Sequence, residues 1–142
     1  MSSSTSDPVS EPHTFPVRIY YEDTDFSGNV YHAAYLKFFE RGRTEFLRDL
    51  GIHHSELAQQ GIAFAVRGMD IQFLGAAHID DLLSVSTRVE AITGARLTLA
   101  QTIERDGLLL TQAKVVVVAI KTSGGVARLP RHLLDRLAAE RQ

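Results

Sequence analysis

The sequence contains no cysteine, which excludes by counting a disulfide scaffold, a thiolate zinc site and a cysteine nucleophile. Long apolar runs are missing as well. The longest, Val115 to Ile120, falls far short of the roughly 20 residues needed to span a bilayer. Nor is there an excess of charge of one sign. The formal net charge is -2 and the Lys and Arg residues are scattered, so nothing attracts nucleic acid in general. Met1 to Pro12 lack both the basic start and the apolar core of a signal peptide. Rich in Ser, Thr, Asp, Glu and Pro, they read as a disordered tail. These absences lead to the expectation of a soluble, cytoplasmic protein with no nucleic-acid partner, no integral membrane segment and no demand for a metal or other cofactor.

What is present suffices for one domain. A chain of 142 residues, 44% of them hydrophobic, can bury one core and is too short for two of ordinary size. The domain is therefore set at residues 14–142, behind a tail of residues 1–13. Phe15, Val17, Ile19 and Tyr21 alternate with Pro16, Arg18 and Tyr20, the period of a half-buried strand. From Val30 to Leu50 the period lengthens. Tyr31, Tyr35, Phe38, Phe39, Gly42, Phe46 and Leu50 recur every three or four residues, which predicts a helix of roughly five turns with a wide aromatic face, capped by Gly51. Ser55 to Gln60 predicts one short helical turn. Strands are expected over Ile62–Phe73, interrupted by Gly68, over Asp80–Thr93, over Ala95–Glu104 and over Leu108–Lys121, with Asp106-Gly107 as a hairpin turn. Val115 to Ile120 is apolar at every position, so burial on both faces is expected there. Pro130 to Gln142 reads as a closing helix. The fold class is α+β: an antiparallel sheet with one long helix to cover.

Most of the readable chemistry lies between the first strand and the long helix, in Tyr20-Tyr21-Glu22-Asp23-Thr24-Asp25-Phe26-Ser27-Gly28-Asn29-Val30-Tyr31-His32. Three chemistries compete for this run. Asp23, Asp25, Ser27 and Gly28 fit the start of an EF-hand loop, but Ala34 stands where the bidentate Glu is needed and a strand replaces the entering helix. An Asp-x-Asp phosphotransferase needs a parallel sheet and further metal-binding acids, for which the chain is too short and too antiparallel. The third is metal-free acyl chemistry, with Asp25 as carboxylate and the first helical amides, around Tyr31 and His32, polarising a carbonyl oxygen. Thioesters suit such a site, because a thiolate leaves without strong acid assistance.

The residues Tyr21-Glu22-Asp23-Thr24-Asp25 and Gly28-x-Val30-Tyr31-His32-x-x-Tyr35-Leu36-x-Phe38-Phe39-Glu40-x-x-Arg43 resemble the signature of the 4-hydroxybenzoyl-CoA thioesterase family, in particular the branch associated with the bacterial Tol-Pal system. The similarity in element order extends over about Phe15 to Pro130. The resemblance implies a hotdog fold, an acyl-CoA substrate hydrolysed to a carboxylate and CoA, and assembly as homodimers or homotetramers. It places Asp25 at the catalytic Asp position and His32 at the helix-start position, with Tyr21 and His32 matching a Tyr and a His beside that Asp. It also implies basic residues for the CoA phosphates near the turn between the middle strands. That turn reads Thr93-Gly94-Ala95-Arg96, less basic than the family norm, and Arg96 and Arg128 are the candidates.

Plainer roles compete at each position. Asp25 alone would read as a helix cap; inside the full motif, catalysis is favoured. Asp23 is better explained as a solvated turn residue bonding nearby backbone N–H groups. The imidazole of His32 either orients water or Asp25 or is structural, and Tyr21 packs inward as readily as it touches substrate. His53 and His54 read as surface residues. The principal alternative to an enzyme is a non-catalytic module of the same fold that binds acyl-CoA or acyl carrier protein; a hotdog dehydratase is a third reading, and its His and acid pair is not found.

Overall fold

The structure, a computed structural model, describes residues 12–140. The strands are β1 (His13–Arg18), β2 (Ile62–Phe73), β3 (Leu82–Thr93), β4 (Arg96–Arg105) and β5 (Leu108–Lys121), and the helices α1 (His32–Asp49), α2 (His54–Gln59) and α3 (Arg131–Ala139). All strand pairs are antiparallel and the sheet order is β1-β3-β4-β5-β2. β2 thus forms one edge, carried there by the chain that crosses from β1 through α1.

The apolar face of α1 makes the core. Tyr35, Phe38 and Phe39 are almost fully buried, packed with Val85, Leu97, Leu99 and Val115 from the sheet; each such side chain contributes about 1.5–3 kcal/mol by leaving water. The helix comes closest at Gly42, where an added Cβ would lie 2.6 Å from Val85 Cγ1. It ends as expected at Gly51, whose φ of +79° lets its N–H reach the Arg48 carbonyl while Ile52 N–H reaches that of Leu47, a Schellman closure. This helix wrapped by an antiparallel sheet is the expected hotdog arrangement.

Several boundaries differ from expectation. β1 begins at His13, the last residue assigned to the tail, whose ring packs on Phe46 and bonds Asp49 at 2.7 Å; the rest of that tail, apart from Pro12, lies outside the described residues. β1 stops at Arg18 because the chain turns off the sheet, so Tyr21 falls in a 3-10 turn over Tyr21–Asp23 and is exposed, not packed inward. Asp80 sits outside β3 at a left-handed φ of 71°. The break at Gly68 is a bulge within an otherwise continuous β2. Val115, Val117 and Ala119 are buried but Val116, Val118 and Ile120 are only partly so, so the expected burial on both faces is complete on one.

Candidate active site

Between the 3-10 turn and α1 the chain closes a small polar loop. Asp25 N–H donates to the Asn29 carbonyl at 2.8 Å and Gly28 N–H to the Asp25 carbonyl at 3.0 Å. Gly28 takes a φ of +85° there, a conformation that costs a Cβ-bearing residue strain. Asp25 Oδ1 collects three bonds: from Ser27 N–H at 2.8 Å, Ser27 Oγ at 2.5 Å and Asn29 N–H at 3.3 Å. The Ser27 hydroxyl and then the Ser27 N–H hold the carboxyl below its ordinary value against an opposing effect of burial, with a lesser contribution from the Asn29 N–H. Asp25 is thus ionised at neutral pH, open to solvent, and its Oδ2 has no protein partner among the described residues. It caps its own turn, not α1.

The helix start lies next along the chain. Tyr31 is the residue before α1 and supplies no side-chain cap. Its N–H donates to the Asp23 carbonyl at 3.3 Å, so the amides without a protein acceptor among the described residues are those of His32 and Ala33. Such unpaired N–H groups at the positive end of a helix form a ready anion or carbonyl site. The His32 ring stacks on Phe73 with centroids 4.1 Å apart and planes 12° apart, and Phe73 in turn meets Tyr35 edge-on. Asp23 does bond a nearby N–H, accepting from Tyr20 at 2.9 Å, but it is buried at 3% exposure, with Lys37 Nζ 3.9 Å away, where a solvated side chain was expected.

A segment distant in sequence fixes this loop from behind. Val30 N–H donates to the Ala77 carbonyl at 2.9 Å, Ile79 N–H to that of Gly28 at 3.0 Å, and Ala77 N–H to the buried Tyr35 hydroxyl at 3.0 Å. Asp81 holds that segment, accepting from His78 N–H at 2.8 Å and Arg105 at 2.9 Å. Burial works against its ionisation, yet these two hydrogen bonds and the Arg105 charge outweigh it and keep its carboxyl below the usual range. Sequence reading missed Phe73, Ala77, His78, Asp81 and Arg105 in this role; only Ser27, two residues after Asp25, carried a local signal for its bond.

The structure brings Asp25, Tyr31 and His32 to one end of α1, with Tyr21 on the turn before them, and leaves the two arginines elsewhere. Arg96 opens β4 and Arg128 follows β5; Arg128, Gly94, Leu129, Arg131 and Leu134 line a depression of about 300 Å³. β3 joins the two ends of the molecule, and its length amounts to roughly 35 Å.

A single long helix wrapped by an antiparallel sheet, with an ionised carboxylate beside its uncapped start, defines a hotdog protein equipped for carbonyl chemistry. Residues 20–137 match the model of the Thioesterase-like superfamily, and the chain belongs to that family. Acyl-CoA thioesterase YbgC of Haemophilus influenzae is 47% identical over 108 residues, covering 75% of this chain and 79% of that protein. Acyl-CoA thioester hydrolase YbgC of Escherichia coli O6:H1 is 39% identical over 127 residues, covering 89% and 92%. Among solved structures, a probable thioesterase from Bartonella henselae superposes with a TM-score of 0.80 at 47% identity, over 84% of this chain and 99% of that one.

Proposed function

We propose that this protein is an acyl-CoA thioesterase in which Asp25 acts on the thioester carbon while the N–H groups of His32 and Ala33 hold the carbonyl oxygen. The observation that carries this reading is the pairing of an ionised, solvent-facing carboxylate, one oxygen free, with a helix start whose two amides lack acceptors. Charge that develops on the oxygen is stabilised by fixed donors already in place. Asp25 either attacks the carbon, giving an anhydride that water opens, or takes a proton from water as it attacks. In both routes the C–S bond breaks, one water is consumed, and carboxylate and CoA thiol are released. The stacked His32 ring fixes the start of the helix, and Tyr21 lies exposed on the same approach. Relatives at 39% and 47% identity that bear the acyl-CoA thioesterase name support the substrate class, and the branch resemblance supports a place beside the Tol-Pal system in the cytoplasm.

The assembly we infer is a homo-oligomer. β2 is a twelve-residue edge with one side unpaired, and Val66, Phe73 and Leu74 on or beside it are exposed, as are Tyr20, Tyr21 and Phe26 around the loop. A long edge with apolar neighbours calls for a partner. If Arg96, Arg128 or Arg131 meets the CoA phosphates, the distance along β3 favours arginines of a second copy over those of the same chain.

Thiol release from a panel of acyl-CoA substrates at pH 7 to 8, for wild type and Asp25→Ala, tests the reading, with sizing chromatography for the assembly. Turnover lost in Asp25→Ala is the expected outcome. Turnover that is indifferent to the change removes Asp25 from the chemistry, and binding without hydrolysis by wild type makes the protein a binding module for acyl-CoA or acyl carrier protein.

A further inference from the structure

We propose that Asp81 and Arg105 are positioning residues for the thioester site, a pair anchored on the sheet that holds the Asp25 loop and the first turn of α1 in one relation through residues 76–79. Its effect on turnover rests on the thioesterase reading; its effect on the Asp25 carboxyl does not. Asp81 stands immediately before β3 and Arg105 closes β4, the neighbouring strand. The pair therefore hangs on rigid elements. Arg105 Nη1 lies 2.9 Å from Asp81 Oδ2 and both side chains are largely shielded from solvent, where an ion pair is screened less than on an open surface.

Between β2 and β3 the chain leaves the strand ladder, so the backbone groups of residues 76–79 need partners of other kinds. Two bonds come from the pair. Arg105 Nη1 donates to the Ala76 carbonyl at 3.1 Å, and His78 N–H donates to Asp81 Oδ2 at 2.8 Å. Three more run on toward the site. Val30 N–H donates to the Ala77 carbonyl, Ile79 N–H to the Gly28 carbonyl, and Ala77 N–H to the Tyr35 hydroxyl. Gly28 and Val30 flank Asn29, whose N–H and carbonyl both bond Asp25, while Tyr35 lies about one turn after His32 on α1. The carboxylate and the open amides are thus both referred to the same four residues, and those residues to one ion pair. Alignment is what such a tie supplies, and a misplacement of about 1 Å between reacting groups costs on the order of a hundredfold in rate.

Asp81→Ala cuts the pair and Tyr35→Phe cuts the link to α1, each in the full chain and checked for native circular dichroism. Asp81→Ala is expected to lower kcat by roughly ten- to a hundredfold with KM within about threefold of wild type, as lost alignment does and lost binding does not. Tyr35→Phe should lower kcat by about fivefold or more in the same way. In both variants NMR titration of the Asp25 carboxyl carbon is expected to show a pKa above that of wild type, because the Ser27 and Asn29 N–H groups no longer point steadily at Oδ1. A brace that serves stability alone moves neither readout. Since the titration uses no substrate, the two readings fail apart. Turnover unchanged in Asp25→Ala removes the thioesterase assignment, whereas an Asp25 carboxyl that titrates as in wild type in the folded variants removes the positioning role. Wild-type kcat in Asp81→Ala where Asp25→Ala is inactive, or a loss confined to KM, overturns it as well. If Asp81→Ala does not fold, Tyr35→Phe decides alone.

Discussion

Two polar clusters hang on the same helix, one before its first turn and one beneath its middle, and they are built by opposite rules. The Asp25 loop is stitched by bonds between residues two to four apart and leaves a carboxylate oxygen and two amides open to solvent. The Gln101 junction is stitched by bonds between residues 14 to 62 apart, in which Gln101 donates to Thr87 Oγ1 at 2.8 Å and to the Phe39 carbonyl at 3.0 Å while accepting from Arg43. Gln101 is 1% exposed. The first cluster leaves open the groups that the proposed chemistry would use; the second ties Arg43, Gln101 and Thr87 together between helix and sheet. On the proposed reading, chemistry belongs to the loop before α1 and stability to the junction that α1 makes with β3 and β4.

The sharpest attempt to break that division is to exchange the two readouts. Asp25→Asn is expected to reduce kcat by on the order of a thousandfold while leaving the urea midpoint nearly unmoved, since the residue is exposed and its turn bonds survive in the amide. A comparable loss of stability would mean the loop is structural after all. Gln101→Leu is expected to do the reverse, lowering stability by about 2–4 kcal/mol, because it leaves the Thr87 hydroxyl without its partner, takes the second donor from the Phe39 carbonyl and removes the acceptor of a buried cation. Urea unfolding measures it, and a cost under about 1 kcal/mol would show that the junction is not a stability element. Gly42→Ala comes next. The new methyl meets Val85 Cγ1 at 2.6 Å and Gln101 Nε2 at 3.4 Å, so overpacking of about 1–3 kcal/mol outweighs the gain in helix propensity. Added to Val85→Ala, the same change should cost much less, and strict additivity would rule out the clash.

The same division decides what could be read from the sequence. Helix α1, its Gly51 closure and β2 to β5 follow from apolar period and turn residues that act within a few positions, and the element order came out within a residue or two at most ends. Asp25 and His32 were legible as candidates because their loop is local. Tyr21 misled, because alternation continues through Ile19 and Tyr21 after the chain has left the sheet, and nothing nearby in sequence shows where pairing ends. Asp23 misled for a related reason: the Lys37 side chain near it and its burial come from the helix folding back. Ala77, Asp81 and Arg105 lie some fifty to eighty residues from the loop they support, and no period or motif joins them to it.

The smallest effect tests how the loop sets the charge of its own carboxylate. Ser27 is the largest cause of the lowered pKa of Asp25. A carboxyl held below its unfolded value contributes stability above that value and loses it as pH falls through the folded pKa, and the same fall protonates the group proposed to act on the thioester. Ser27→Ala removes the hydroxyl but keeps the Ser27 backbone N–H bond, so the Asp25 pKa is expected to rise toward, and not beyond, the ordinary carboxylate range. Titration of the Asp25 carboxyl carbon by NMR reads this directly, and the acidic limb of kcat/KM should move to higher pH in step with it. A carboxyl that does not move assigns the depression to the backbone alone. A limb that stays fixed while the carboxyl moves separates Asp25 from the rate.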